Sequence, residues 1–205
     1  MGSAGSERRL RSDGERSRNA ILREATQLAT VEGLDGLSIG RLADVVGMSK
    51  SGLFAHFGSK EELQLATFDA ARSLFDERVV ELALQAPTAI DRLRRLCENY
   101  LQYVQDAFPG GCFFAAVLAE MDTRPGAVRD RAVTFMDEWL GLLTREVQAA
   151  QADGAIGRDE DVAQVAFQLE AYLFLANAQF VVLRDAAPIE LARRAIEERL
   201  AAAAA

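Results

Sequence analysis

The stretch Gly47-Met48-Ser49-Lys50-Ser51-Gly52-Leu53-Phe54-Ala55-His56-Phe57-Gly58-Ser59-Lys60 decides how this chain is read. Ser49 is placed to cap a helix by accepting from the free backbone N–H groups of its first turn, and Gly47 supplies a tight turn just before it. Between that cap and Gly58 there is room for about two turns. Leu53 and Phe57, four residues apart, face inward together, which sends Lys50, Ser51, Gly52, Phe54 and His56 outward or to the flanks. The outer face then holds hydroxyls and a cation without an acid, a composition suited to a phosphate-lined groove.

Working outward, the chain is all-α, with about nine helices. Ile21, Leu22, Ala25, Leu28 and Ala29 recur at helical spacing from Ser17 onward, and Gly33 ends that first helix. Ser38 caps a second helix with Ile39, Leu42, Ala43 and Val46 inward, and Ser59 with Glu62 forms a capping box for a fourth. Thr88 with Asp91 starts the next helix, which breaks at Pro109-Gly110-Gly111. A short helix follows from about Cys112 to Met121, then Arg124-Pro125-Gly126 and a long helix over Ala127 to Ala152, ended by Asp153-Gly154. Asp159 is the expected cap of a helix reaching Leu183, and Pro188 sits in the first turn of the last one. Three parts are expected: a mobile arm over residues 1–16, a three-helix reader over 17–62, and a larger helical domain over 63–205. The arm's Arg8, Arg9 and Arg11, with Arg16 and Arg18 just beyond, would either follow a DNA backbone or remain solvated.

The 205 residues carry a net charge of -8, but the sum hides an asymmetry. Residues 1–60 hold nine Lys or Arg against seven Asp or Glu, and the remainder hold fourteen against twenty-four. The first part suits DNA and the second is repelled by it. Cys97 and Cys112 lie in apolar stretches at no metal-like or redox-like spacing, as buried thiols of a reducing cytosol do. No secretory signal precedes the first helix, and five polar residues within Val162–Leu183 argue against a membrane span. No metal-ligand cluster, phosphate loop or nucleophile elbow is present, and His56 is the only histidine. Glu120 and Asp122 read as solvated loop carboxylates. No cofactor and no metal are expected.

The linked set Gly33, Leu37-Ser38-Ile39-Gly40-Arg41-Leu42-Ala43, Gly47-Met48-Ser49-Lys50 and Leu53 through Leu63 resembles the DNA-binding domain of the tetracycline-repressor (TetR) family, over residues 17–66. The resemblance implies a dimer whose third helices enter successive major grooves. It also implies a divergent C-terminal domain that binds a small molecule and forms the dimer. Ser38 and Lys60, at helix starts where phosphate is favoured, are expected to clamp the DNA backbone. Ser49, Lys50, Ser51 and Gly52 would form the leading edge of the reading helix, with Lys50 on phosphate or a guanine edge. Many members of the family have tyrosine at the position of Phe54, so one phosphate hydrogen bond is lost while contact with sugar or a thymine methyl remains. His56 is assigned a phosphate or backbone contact. Arg41 reaches phosphate or is simply an exposed helix arginine.

Thirteen of the fifteen aromatic residues follow Lys60. Candidates for an effector cavity are Tyr100, Tyr103, Phe113, Phe114, Phe135, Trp139 and Tyr172, with Met136, Phe167 and Phe174 beside them and Gln168, Glu170 or Asn177 to orient a ligand. Ordinary core packing is expected to claim most of them. Val162–Leu183 is apolar almost all round, which calls for burial on two sides: one against its own domain and one, with the final helix, against a twin in a four-helix seam. Gly110-Gly111-Cys112-Phe113-Phe114 followed by Glu120-Met121-Asp122 resembles a C-terminal type found in some TetR-like regulators. The expected function is a cytoplasmic, homodimeric regulator, a repressor released from a pseudo-palindromic double-stranded DNA operator by an apolar small molecule. A helical protein-interaction adaptor and an all-α enzyme are the alternatives.

Overall fold

Helix α1 runs from Ser3 to Glu32 and stops at Gly33, whose φ of 81° is costly for any residue with a Cβ. The computed structural model describes residues 3–121 and 125–205, with side chains from Gly14 onward. Where the sequence reading places a separate arm, the backbone from Ser3 continues α1. No proline or cap interrupts Ser3–Ser17, so nothing local stops the helix there. The side chains of Arg8, Arg9 and Arg11, and all of Asp122 to Arg124, lie outside the described residues.

The next three helices begin where hydroxyl caps place them. Ser38 accepts from the Arg41 N–H at 3.2 Å and opens α2, Ile39–Val46; Gly47, at φ 68°, closes it. Ser49 accepts from the Gly52 N–H at 3.1 Å and opens α3, Lys50–Phe57. Ser59 accepts from the Glu62 N–H at 3.0 Å and opens α4, Lys60–Phe75. Helix α4 does not end at Phe75 but continues through a π-helical stretch, Asp76–Glu81, into a last turn at Leu82–Leu84. The wider turn leaves backbone carbonyls short of their usual donor, and Asn99 donates to the Val79 carbonyl at 3.1 Å. The boundary expected after residue 62 falls in the first turn of this helix.

The remaining helices are α5, Ala89–Asp106; α6, Phe113–Met121; α7, Ala127–Ala152; α8, Val162–Leu183; and α9, Ala187–Ala202. The described residues thus form nine helices and no strand. One correction concerns α8: its cap is Asp161, which accepts from the Ala163 and Gln164 N–H groups at 2.9 and 3.2 Å, and not Asp159. Helix α9 packs chiefly on α8, α7 on α5 and α8, and α1 on α4, α2 and α6. A single buried core runs through both halves, from Ile21, Leu53 and Phe57 to Leu173, Ile196 and Leu200.

Val162–Leu183 is long and apolar enough to cross a membrane by composition alone. Three of its five polar side chains nevertheless have partners in the fold. Gln168 accepts from Arg199 Nε at 2.6 Å, Glu170 from Trp139 Nε1 at 2.5 Å, and Asn177 from the Cys112 N–H at 2.8 Å. The expected two-sided character appears as one buried and one exposed face, the latter carrying Phe167, Phe174, Leu175, Val182 and Leu183.

Candidate functional site

Leu53 and Phe57 are buried on the inner side of α3, which leaves Lys50, Ser51, Phe54 and Ala55 exposed on the outer side. Phe54 stands 55% exposed, a costly display for a phenylalanine with nothing to cover it. Ala55 was not singled out from sequence, since a methyl group advertises no chemistry; its position beside Phe54 comes only from the helix wheel. Ser49 is committed to its cap and shares a 3.3 Å contact with the Ser51 hydroxyl.

Gly52 departs from the expected leading edge. It is half-buried, and a Cβ there would lie 3.1 Å from Ser49 Oγ, so its first duty is to make room for the cap. The Lys50 side chain lies across Gly40 of α2, where a Cβ would meet its Cε at 3.4 Å; a glycine in one helix of the pair gives the lysine stem of the other its track. His56 is half-buried, its ring 6.1 Å from that of Phe57.

Three basic residues have partners inside the protein. Lys60 Nζ donates to the Asp35 carbonyl at 2.5 Å and to its carboxylate at 3.0 Å. Arg41 pairs with Glu32, Nη2 to Oε1, at 2.5 Å. Arg18, expected either to follow a DNA backbone or to remain solvated, donates to the His56 carbonyl at 2.5 Å and lies over the Phe57 ring at 4.5 Å. A cation at the C-terminal end of α3 satisfies a carbonyl and suits the helix dipole, so Arg18 positions the reading helix from behind.

The loop after α1 ties this reader to the larger domain. Glu120, near the end of α6, accepts from the Leu34 and Asp35 N–H groups at 2.7 and 2.8 Å, while Gln64 donates to the Leu34 carbonyl at 2.7 Å. The reading of Glu120 as a solvated loop carboxylate is thus corrected. Gly110, in the turn before α6, approaches α1 so closely that a Cβ would lie 2.0 Å from the Thr30 carbonyl oxygen.

The aromatic residues of the second half form a cluster around Phe75, whose ring meets Tyr100, Tyr103, Phe114, Phe135 and Trp139 edge-on with centroids 5.2 to 6.2 Å away. Of the residues expected to hold a ligand, Tyr100, Phe114, Phe135 and Trp139 line one cavity, together with Met136, Glu170 and Phe174. Tyr103 and Phe113 are fully buried packing residues, and Tyr172 is partly buried against the core. Gln168 and Asn177 are corrected from ligand orienters to structural acceptors of Arg199 and of the Cys112 N–H. Cys97 and Cys112 are buried free thiols, and burial raises both pKa values. Burial also pushes Glu170 up to about 7, against the smaller opposing pull of its Trp139 hydrogen bond.

A short helix capped by Ser49, seated by Arg18 and turned outward with Lys50, Ser51 and Phe54, makes this a helix-turn-helix DNA-binding protein. Residues 21–67 match the bacterial regulatory proteins of the tetR family, and residues 89–196 match the tetracyclin repressor-like C-terminal domain. The chain belongs to the tetR family of bacterial transcriptional regulators. It is 22% identical over 184 residues to the HTH-type transcriptional repressor NicS of Pseudomonas putida, covering 87% of this chain and 84% of that one. A TetR regulator from Chloroflexus aurantiacus superposes with a TM-score of 0.85 at 26% identity, covering 93% and 96% of the two chains. AibR, solved with isovaleryl coenzyme A and operator DNA, superposes with a TM-score of 0.71 at 22% identity over 88% and 97%.

Proposed function

We propose that the protein is a homodimeric repressor that leaves its operator when a small molecule enters the cavity beside Trp139. The observation that carries this reading is the outer face of α3, on which Lys50, Ser51, Phe54 and Ala55 are exposed without an acid among them. Lys50 and Ser51 meet phosphate and base edges, and Phe54 meets sugar or a thymine methyl. Ser38 and Lys60 flank them at two further helix starts, where Lys60 exchanges Asp35 for phosphate. The relatives named as a repressor and as a complex with ligand and operator support this reading. A twin on the exposed face of α8 sets the two reading helices roughly 34 Å apart, one turn of duplex.

The route from ligand to DNA is short. Phe114, Ala115 and Leu118 of α6 line the cavity, and Glu120 two residues on holds the loop that leads into α2. A ligand that binds more tightly to one setting of α6 thereby biases the reader.

Selection of genomic fragments on the purified protein, followed by band shifts at graded salt, tests the DNA reading. Lys50→Ala is expected to weaken the selected site by about tenfold and to reduce the salt slope by about one, with dimerisation unchanged. Equal binding to selected and random fragments would rule the function out. Leu175→Glu places a charge in the middle of the exposed α8 face and is expected to yield monomers on sedimentation. A variant that still sediments as the wild type would move the seam elsewhere.

A further inference from the structure

Glu170 differs from the other shielded carboxylates of the larger domain. Glu146 is paired with Arg92 and Glu160 with Arg199, whereas Glu170 has the neutral indole N–H of Trp139 and no cation among the described residues. It faces the cavity lined by Tyr100, Phe114, Phe135, Met136, Trp139 and Phe174. The Tyr100 and Trp139 rings stack there at 5.9 Å and 21°, and Phe75 meets the indole edge-on at 5.2 Å. Aromatic faces are electron-rich and the carboxyl gives up its proton to an incoming positive charge, so rings and carboxyl together favour a cation in a dry setting. A neutral guest leaves that preference unanswered and an anion runs against it. Of the three, only a cation is attracted by both the rings and the carboxyl.

We infer that the effector is an organic cation, an ammonium head on an apolar body, with the head held between Glu170 and the rings of Tyr100 and Trp139. This rests on the regulatory reading given above. The space directly at Glu170 is small, about 20 Å³, but Phe75, Phe135 and Trp139 separate it from a groove of about 320 Å³ between α4 and α7. The groove's rim charges balance, Arg72 and Arg145 against Asp76 and Glu138. The groove is bordered by Asp76 and Val80 of the π-helical stretch, and such stretches recur at ligand sites. The apolar body lies in the groove, and the head passes the aromatic wall as Glu170 exchanges the Trp139 indole N–H for the ammonium. The proton that burial leaves on Glu170 near neutrality is then displaced by the guest's charge.

Trp139 is the only tryptophan, so its emission reports entry directly. The probes are phenethylammonium, 2-phenylethanol and phenylacetate, which share one body and differ in charge, with benzyltrimethylammonium as a quaternary head. Both ammonium probes are expected to change the emission saturably, at least tenfold more tightly than the alcohol or the carboxylate. Glu170→Gln, which keeps an acceptor for the indole, is expected to remain folded by circular dichroism and to lose about tenfold in ammonium affinity only. The inference is overturned by equal binding of the alcohol or the carboxylate, by an unaltered Glu170→Gln titration, or by no saturable response to either ammonium. Band shifts without probe keep the two readings apart. Intact DNA binding with no ammonium preference overturns this inference alone, and absent DNA binding overturns the regulator.

Discussion

Glu120→Ala is expected to lower the melting temperature by several degrees and to uncouple the reader from the rest of the molecule. The carboxylate accepts two backbone N–H groups, and one of them belongs to Leu34, which is fully buried. Removing a charged acceptor from a buried donor costs about 2–3 kcal/mol, and water re-solvates the Asp35 N–H at the exposed end. For a chain of this length that corresponds to roughly 4–10 °C. DNA affinity falls as well, because the loop entering α2 no longer has a fixed setting. Glu120→Gln, which retains one acceptor, is expected to fall between alanine and wild type. A melt of the alanine variant within a degree of wild type would sink the idea that this contact holds the two halves in register.

The second large effect concerns Glu170. Its carboxyl is carried from an ordinary value of 4.5 to about 7 by burial, so the unfolded chain releases this proton at a lower pH than the folded one. Stability from this group is fully present below pH 4.5, is lost as pH rises through 7, and is constant above that. The total is about 3 kcal/mol, on the scale of about 1.4 kcal/mol for each unit of pKa. Glu170→Gln cannot ionise, so its advantage over wild type is expected to grow by about 2 kcal/mol between pH 5.5 and pH 8.5. Parallel urea titrations at the two pH values measure this, and an advantage independent of pH would show that Glu170 does not titrate in that range.

How far the chain could be read in advance follows from the range of its interactions. Ser38, Ser49, Ser59 and Thr88 each accept from the N–H three residues on, so the caps were visible as local patterns. Asp159 and Asp161 offer the same local chemistry, and the choice between them is made by packing: Gln151 reaches the Gly157, Arg158 and Glu160 carbonyls and holds that turn back from the helix. The π-helical stretch has no sequence mark, since it depends on an Asn99 twenty residues away. Arg18, Glu120 and Asn177 were misread for the same reason. Their partners, His56, Leu34 with Asp35, and Cys112, are 38 to 86 positions distant, and no spacing rule reaches that far. In the aromatic set, chemistry alone could not separate Tyr103 from Tyr100: both are buried, and only Tyr100 borders the cavity beside Trp139.

Helix α6 carries two sets of residues on separate faces. Phe114, Ala115 and Leu118 face the cavity, and Glu120 grips the loop before α2. Recognition and transmission are therefore separately mutable. With the effector in the proposed cavity, drift or deliberate randomisation at 114, 115 and 118 would change which molecule is sensed while the wiring to DNA stays as it was, and the protein would serve as a chassis on which new specificities are selected without rebuilding the switch.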